Sequence, residues 1–186
     1  MHGFLPSFHV SRNMLLSGPL MVGHFGKLRG VHGFVGAGLP SDFVDRWDNW
    51  YLMATRRTPL GAIAYDEPAW RFVAAAGLFG HFAAAGVWQR SQDCDGQIYP
   101  FVIAVLGASL ADDDPWFDAT QSLLTVVVDG EIPSAQIGAR IATLPVPVPR
   151  EPGGPAMLLW RDDWEVHELS FATGRDFAAY GLPGAV

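Results

Sequence analysis

The apolar run "FVIAVLG" at residues 101–107 constrains the fold more than any other segment, because it offers no polar side chain to either face of a strand. A strand of this kind is typical of a sheet that is covered on both faces. The preceding segment "FAAAGVWQRS" (82–91) also has strand composition, and "QDCDGQ" (92–97) between them has the turn residues of a hairpin. The sequence therefore predicts a hairpin whose second strand, at 98–108, lies in the middle of a sheet.

The segment 41–55 is predicted to be a helix with one buried face. Its apolar residues recur at helical spacing, as Phe43, Val44, Trp47, Trp50, Tyr51 and Ala54. Ser41 is the predicted N-cap. The opposite face is acidic, whereas an aromatic platform for carbohydrate or nucleic acid needs exposed rings beside cations. Trp47 and Trp50 are therefore predicted core residues, and so is Trp70 in a strand at 69–77.

The remaining segments complete the expected fold. Further strands are predicted at 20–28, 156–160 and 165–171, and further helices at 112–131, with Asp113 or Asp114 as the cap, and at 133–144. The glycine-rich segment 30–40 is predicted to be a loop, and 145–155 an extended connector. Together these elements predict one α/β domain over 21–186 with a mixed, largely antiparallel sheet, after a loosely ordered leader at 1–20.

Composition limits the classes of partner. The net charge is −7, from 12 lysines and arginines against 19 acidic residues, which disfavours binding to nucleic acid and to anionic membranes. No apolar run is long enough to predict insertion into a membrane. A single cysteine, Cys94, excludes an intramolecular disulfide and agrees with a reducing, cytoplasmic location.

Four blocks of the sequence carry a resemblance to a known family. They are "GHFGKL" (23–28), "FVGAGLPSDFVDRWDNW" (34–50), "EPAWRFVAAAGLFG" (67–80) and "GVWQRSQDCDGQIYPFVIA" (86–104). In this order and with these gaps, the chain resembles the TagF family, also called ImpM, of type VI secretion accessory proteins. The positions that fall on the family's motifs include Lys27, Arg71, Ser91, Asp93 and Gly96.

The resemblance implies a three-layer α/β/α sandwich and a cytoplasmic protein without enzymatic activity. Proteins of this family restrain the assembly or firing of the type VI secretion apparatus after translation. They are thought to act by contact with another component of the system. The candidate partner that the resemblance implies is a forkhead-associated scaffold protein.

Two departures from the family's pattern lie in the matched blocks. His32 and Gly33 stand where the family has a Gly-Asp pair, and Gln97 stands where it has an arginine. The acidic and the basic side chain of the family's pattern are thus both absent from these positions. If those two groups form an ion pair or a ligand contact in the family, this chain lacks it.

Motifs for metal or phosphate chemistry are scarce. The glycine-rich stretch 26–38 lacks the order of a phosphate-binding loop. A metal could bind if two loops met, through His24, His32, Asp93 and Asp95, but these residues have no defined ligand spacing. We therefore predict no cofactor and no metal site.

Motifs for nucleophilic catalysis are equally scarce. Cys94 lies between two acids, which would raise the pKa of its thiol. Ser91 lacks the glycine-flanked nucleophile elbow of hydrolases. We therefore predict no catalytic residue. The alternative is a small metal-dependent or nucleophilic hydrolase that uses the loops at 24–33 and 91–97.

Two cations lie inside apolar blocks, Lys27 in "GKL" and Arg71 in "AWRFV". Arg71 is expected to pair with Asp48 or Asp93 and to fix the register of a strand, with a partner-binding role as the alternative. The predicted docking surface is a ridge formed by 26–38 and 91–97, because surface loops on a rigid sheet often carry recognition. Charge reversal at Lys27 is expected to weaken partner binding without lowering thermal stability.

Overall fold

A computed structural model describes residues 20–55, 68–150, 156–161 and 166–169. Seven strands form one sheet: β1 (Met21–Lys27), β2 (Phe34–Ala37), β3 (Trp70–Ala74), β4 (Ala84–Gln92), β5 (Ile98–Leu106), β6 (Met157–Trp160) and β7 (Val166–Leu169). Their order across the sheet is β2-β1-β5-β4-β3-β6-β7. Every neighbouring pair of these strands is antiparallel, so the predicted mixed sheet is antiparallel throughout. The expected leader, residues 1–19 in particular, lies outside the described residues.

The hairpin predicted at the centre of the sheet is present. β4 and β5 pair from Ala84 with Leu106 to Gln92 with Ile98. The buried side chains of β5 alternate between two clusters, because successive residues of a strand point to opposite faces. Val102, Ala104 and Leu106 belong to one cluster, and Phe101, Ile103 and Val105 belong to the other.

Helix α1 (Ser41–Thr55) packs on the first of these clusters, which we call the aromatic cluster. Trp47 is fully buried, and its ring lies 5.0 Å from that of Trp50 and 5.4 Å from that of Phe72. The helix predicted over 41–55 is confirmed. Ser41 is its first helical residue rather than its cap, and the N–H of Val44 donates to the carbonyl of Pro40.

Two further helices pack on the second cluster: α2 (Pro115–Val128) and the short α3 (Ile137–Ile141), which a 3₁₀ turn at Ser134–Gln136 precedes. Asp114 caps α2, since its Oδ1 accepts from the N–H of Trp116 at 2.9 Å. The other oxygen of Asp114 accepts from the N–H of Val148 and so holds the connector against the helix. The chain is thus of the α/β class, with an antiparallel sheet and helices packed on it.

Strand β2 lies inside the segment 30–40, which was predicted to be a loop. Gly33 and Gly38 have positive φ values of +71° and +80° and turn the chain at either end of the strand. Between them, Phe34–Ala37 pair with β1. The sequence prediction was wrong here because the glycines that mark the turns also flank a strand of four residues.

None of the helices in the described ranges combines the length and the apolar character that crossing a membrane requires.

Candidate functional site

The turn between β4 and β5 is built around Asp93. Its Oδ1 accepts from the N–H groups of Asp95, at 3.0 Å, and of Gln97, at 2.8 Å. Gly96 has a φ of +75°, which allows the chain to reverse inside the turn. A buried aspartate that bonds the backbone two and four residues ahead fixes the shape of a turn. The residues 93–97 are therefore held in one conformation.

The second carboxylate oxygen of Asp93 binds Lys27 at the end of β1. The distance from Nζ of Lys27 to Oδ2 of Asp93 is 2.7 Å, and the two side chains are 7% and 1% exposed. Lys27 also donates to the amide oxygen of Gln97. The hydrogen bond from Lys27, together with the N–H groups of Gln97 and Asp95, holds the pKa of Asp93 below its ordinary value against the opposing effect of burial.

These contacts correct the expectation for Lys27. Its ammonium lies under the turn, 5.1 Å from the centre of the Phe34 ring, and the residue is only 6% exposed. Lys27 is therefore part of the base that supports the turn and is not a surface charge. Gln97 supplies a neutral amide oxygen, so the lysine has a second acceptor beside Asp93.

The loop after β1 meets this turn. The N–H of Cys94 donates to the carbonyl of Val31 at 3.1 Å. The Nδ1 of His32 lies 2.9 Å from Sγ of Cys94 and 3.2 Å from Oδ2 of Asp95. The side chains of His32 and Asp95 are 83% and 54% exposed. We call the surface formed by residues 28–33 and 93–97 the ridge.

The docking surface predicted from the sequence comprised residues 26–38 and 91–97. The ridge seen in the structure contains fewer of these residues. Residues 26–27 belong to β1, 34–37 to β2 and 91–92 to β4, and Ser91 is buried within β4. The Oγ of Ser91 has no hydrogen-bond partner among the described residues. Ser91 is therefore not placed to contact a partner through the ridge.

The four residues considered from the sequence as possible metal ligands do not come together as a group. His24 is 4% exposed, stacks on Phe101 with ring centres 5.6 Å apart, and has its pKa lowered by burial. Asp93 is occupied by Lys27 and by the turn. Of the four residues, His32 and Asp95 meet, and the third member of their cluster is Cys94. From the sequence, Cys94 was considered only as a nucleophile. The pattern that could have indicated this cluster is His32 in a glycine-rich loop together with the predicted hairpin turn that contains Cys94 and Asp95.

The contacts of Cys94 do not form a catalytic triad. In such a triad the nucleophile and the orienting acid bond to opposite nitrogens of the histidine. Here Cys94 and Asp95 both approach Nδ1. Desolvation, followed by the charges of Asp95 and Asp93, raises the pKa of Cys94, which disfavours the reactive thiolate.

Arg71 has partners other than the predicted ones. Its guanidinium lies 2.8 Å from Oδ1 of Asp118 and donates from Nε to Gln121 at 2.9 Å, and both residues are on α2. The predicted pairing with Asp48 or Asp93 was wrong. Neighbouring Phe72 belongs to the aromatic cluster, so alternation directs Arg71 to the face that α2 covers, while Asp48 lies on α1.

An apolar groove lies beside the ridge. Its volume is about 350 Å³, and β1, β2 and the start of α1 line it. Phe34, which is 52% exposed, lies on its rim and stacks on Phe25. This exposed ring was not singled out from the sequence, because its burial depends on where β2 lies in the sheet.

Comparison with known proteins decides the family. The TagF N-terminal domain, described as type VI secretion system-associated, matches residues 23–144, which include the whole ridge. The chain belongs to this family. Membership associates the chain with type VI secretion, as the resemblance of the four blocks predicted.

A solved structure agrees with this assignment. The chain is similar to the crystal structure of PA0076 from Pseudomonas aeruginosa PAO1, with 31% sequence identity and a TM-score of 0.61. The alignment covers 85% of this TagF-family chain and 75% of PA0076. No curated protein matches the sequence.

Proposed function

We propose that this protein is a non-enzymatic accessory of type VI secretion that restrains the apparatus by binding another of its components through the ridge. The observation that carries the proposal is the meeting of two loops of the family-matched region in one exposed surface on a buried base. Family membership supports the assignment to type VI secretion, and the exposure of the two joined loops supports the choice of surface.

The base of the ridge suits it to recognition. Lys27 and Asp93 lock the turn from below, and the Cys94 N–H joins the turn to the β1–β2 loop. Loops that are ordered before binding lose less conformational entropy when a partner docks. The ridge can therefore present its exposed groups with little further ordering.

The exposed groups provide both charge and apolar area. Arg29, His32 and Asp95 are exposed on the ridge, and Phe34 is exposed beside it. Aromatic residues and arginines are enriched at the energetic centres of protein interfaces, and charges at the rim steer the approach of a partner. The candidate partner is a component of the cytoplasmic part of the system, with a forkhead-associated scaffold protein as the first choice.

The three-layer α/β/α arrangement is part of the same proposal. Support comes from the separation of the buried side chains of β5 into two clusters, one with α1 and one with α2 and α3. In this arrangement both faces of the sheet are covered by helices, which leaves loops and edges for binding.

The hydrolase alternative has less support. In the form considered from the sequence it needs a nucleophile with a base, or a metal held by His24, His32, Asp93 and Asp95. Cys94 instead shares one nitrogen of His32 with Asp95, and His24 and Asp93 are occupied elsewhere. A protein that acts by binding requires neither arrangement.

The test is capture of secretion components by the purified full-length chain. A tagged wild-type protein is incubated with extract of its own bacterium, and the captured proteins encoded by the secretion genes are quantified. The variant Arg29→Glu reverses an exposed charge on the ridge, and Arg140→Glu makes the same change at an exposed position on α3. We expect Arg29→Glu to lower capture several-fold and Arg140→Glu to leave it unchanged, with equal melting temperatures for both variants.

Two results would count against the proposal. Absence of any secretion component from the wild-type capture would remove the docking role, and equal capture by the two variants would move docking away from the ridge. The restraining role has its own measurement: overproduction of the wild-type protein should reduce type VI secretion in the bacterium, and overproduction of Arg29→Glu should reduce it less.

A further inference from the structure

We propose that the top of the ridge is a Zn²⁺ site formed by Nδ1 of His32, Sγ of Cys94 and the carboxylate of Asp95. The ligand atoms of these three side chains all lie within 4.8 Å of one another. Imidazole nitrogen, thiolate sulfur and carboxylate oxygen are the three kinds of side-chain donor that bind zinc in proteins. The sequence alone predicted no metal site, because the ligands come from two separate loops. His32 precedes Cys94 by 62 positions and Asp95 by 63.

The distances fit a tetrahedral ion after small movements. With the usual zinc–ligand bond lengths, neighbouring ligand atoms of a tetrahedral site lie roughly 3.3–3.6 Å apart. Nδ1 of His32 is 2.9 Å from Sγ of Cys94 and 3.2 Å from Oδ2 of Asp95. These two pairs therefore need to separate by less than about 1 Å, and Sγ of Cys94 lies within 4.8 Å of the Asp95 carboxylate. The exposed side chains of this part of the ridge leave space for that adjustment.

The use of a single histidine nitrogen distinguishes this cluster from an ordinary surface hydrogen-bond pair. Nδ1 carries at most one proton, so it cannot donate to the sulfur and to the carboxylate as two full hydrogen bonds. A cation between the three atoms would accept a lone pair from each of them. The nitrogen, the sulfur and the oxygen lie close enough together for one metal ion to bind all three.

The backbone presents the ligands before the ion binds. The N–H of Cys94 donates to the carbonyl of Val31, the residue before His32, so the two ligand-bearing segments are joined next to the site. Asp93 fixes the turn through the N–H of Asp95, and Gly30 and Gly33 bracket the histidine with positive φ values. Lys27 neutralises Asp93, which leaves Asp95 as the carboxylate that faces the site.

Metal binding at this site releases one proton to solvent. The Cys94 thiol loses its proton to solvent as sulfur bonds to the metal, the neutral imidazole and the carboxylate bind without further chemistry, and the fourth position stays open to water. Because the thiol must lose its proton when it binds the metal, affinity should increase as pH rises. The three protein ligands would then connect the two halves of the ridge.

The test uses Co²⁺ as a spectroscopic probe for Zn²⁺. The full-length chain without a histidine tag is treated with chelator, freed of it, and titrated with CoCl₂. Because Cys94 is the only cysteine of the sequence, a thiolate-to-cobalt charge-transfer band in the near ultraviolet reports this site alone. We expect one equivalent of Co²⁺ to produce the band, ZnCl₂ to abolish it, and bound Zn²⁺ to slow alkylation of Cys94 at least tenfold.

Matched variants decide between a site and loose surface binding. Cys94→Ser should remove the band, and His32→Ala should weaken binding by more than about tenfold, since loss of an outer-sphere partner alone costs 10–100-fold. His81→Ala, at an exposed histidine outside the ridge, should bind as the wild-type protein does.

Two results would overturn the proposal. They are Co²⁺ binding without the charge-transfer band and equal affinity in His32→Ala and His81→Ala. Because Arg29→Glu alters the ridge without changing a ligand, the docking proposal and the metal proposal can fail separately.

Discussion

Nζ of Lys27 and Oδ2 of Asp93 lie 2.7 Å apart, and both residues are at least nine-tenths buried. The pair joins the end of β1 to the turn between β4 and β5. It thus connects the sheet to the ridge. Both the docking surface and the proposed Zn²⁺ site depend on the turn that this pair holds in place.

Charge reversal at Lys27 should destabilise the protein. Lys27→Glu would place a carboxylate beside the buried Asp93, and Lys27→Met would leave Asp93 without its cation. We expect both variants to melt at lower temperature than the wild-type protein, and Lys27→Glu lowest, in thermal unfolding followed by circular dichroism. Arg29→Glu is the control, because the neighbouring arginine is exposed. A melting temperature of Lys27→Glu equal to that of the control would contradict the buried pair.

The aromatic cluster should be sensitive to loss of Trp47. This residue is fully buried and packs on Trp50, Phe72 and Phe79. Trp47→Ala should lower the free energy of unfolding by about 3–5 kcal/mol, as deletion of large buried aromatic side chains does. Urea denaturation measures the change. Leu52→Ala, at a residue of the same helix that is 43% exposed, should change it by at most about 0.5 kcal/mol.

Gly26 and Gly30 offer a test of close packing in β1. Both have positive φ, so alanine is strained at either position. A Cβ atom at Gly26 would lie 2.2 Å from the carbonyl oxygen of Pro100, whereas one at Gly30 would meet nothing within 4 Å. We expect Gly26→Ala to lower the free energy of unfolding by about 1–3 kcal/mol more than Gly30→Ala does, through overpacking. Equal losses in urea denaturation would mean that β1 and β5 are not packed this closely.

Acidification should destabilise the protein through His24. Burial lowers the pKa of this histidine in the folded state, so below about pH 6.5 the unfolded chain binds more protons than the folded chain. Stability from this group is therefore complete above that pH and is lost as the pH falls toward the folded-state pKa. We expect the free energy of unfolding to decrease between about pH 7.5 and pH 5, a range that lies above the titration of Asp93.

The variant His24→Gln isolates this effect. Glutamine does not titrate, so the loss of stability between the two pH values should be smaller than in the wild-type protein, even if the variant is less stable at both. An unchanged pH dependence in His24→Gln would assign the effect to another group. Chemical denaturation at the two pH values provides the measurement.

Local patterns in the sequence determined the secondary structure well. The helical spacing of the apolar residues in 41–55, the capping aspartate before Pro115 and the apolar strand at 101–107 each depend on neighbours within a few residues. Ordered motifs also identified the family. The exception was β2, where the glycines at its ends concealed a strand whose formation depends on pairing with β1.

Contacts between distant residues were decided only by the tertiary structure. The face of β3 on which Arg71 lies follows from the alternation of side chains, but its partner depends on which helix covers that face. His32 follows β1, and Cys94 lies in the turn that leads from β4 into β5. The two residues meet because β1 and β5 are neighbours in the sheet, and no local pattern specifies this strand order. The sequence by itself thus determined the family, most of the elements and the polar residues of the two loops. Strand order and the faces chosen by the helices decided which of those residues are buried, paired or brought together on the ridge.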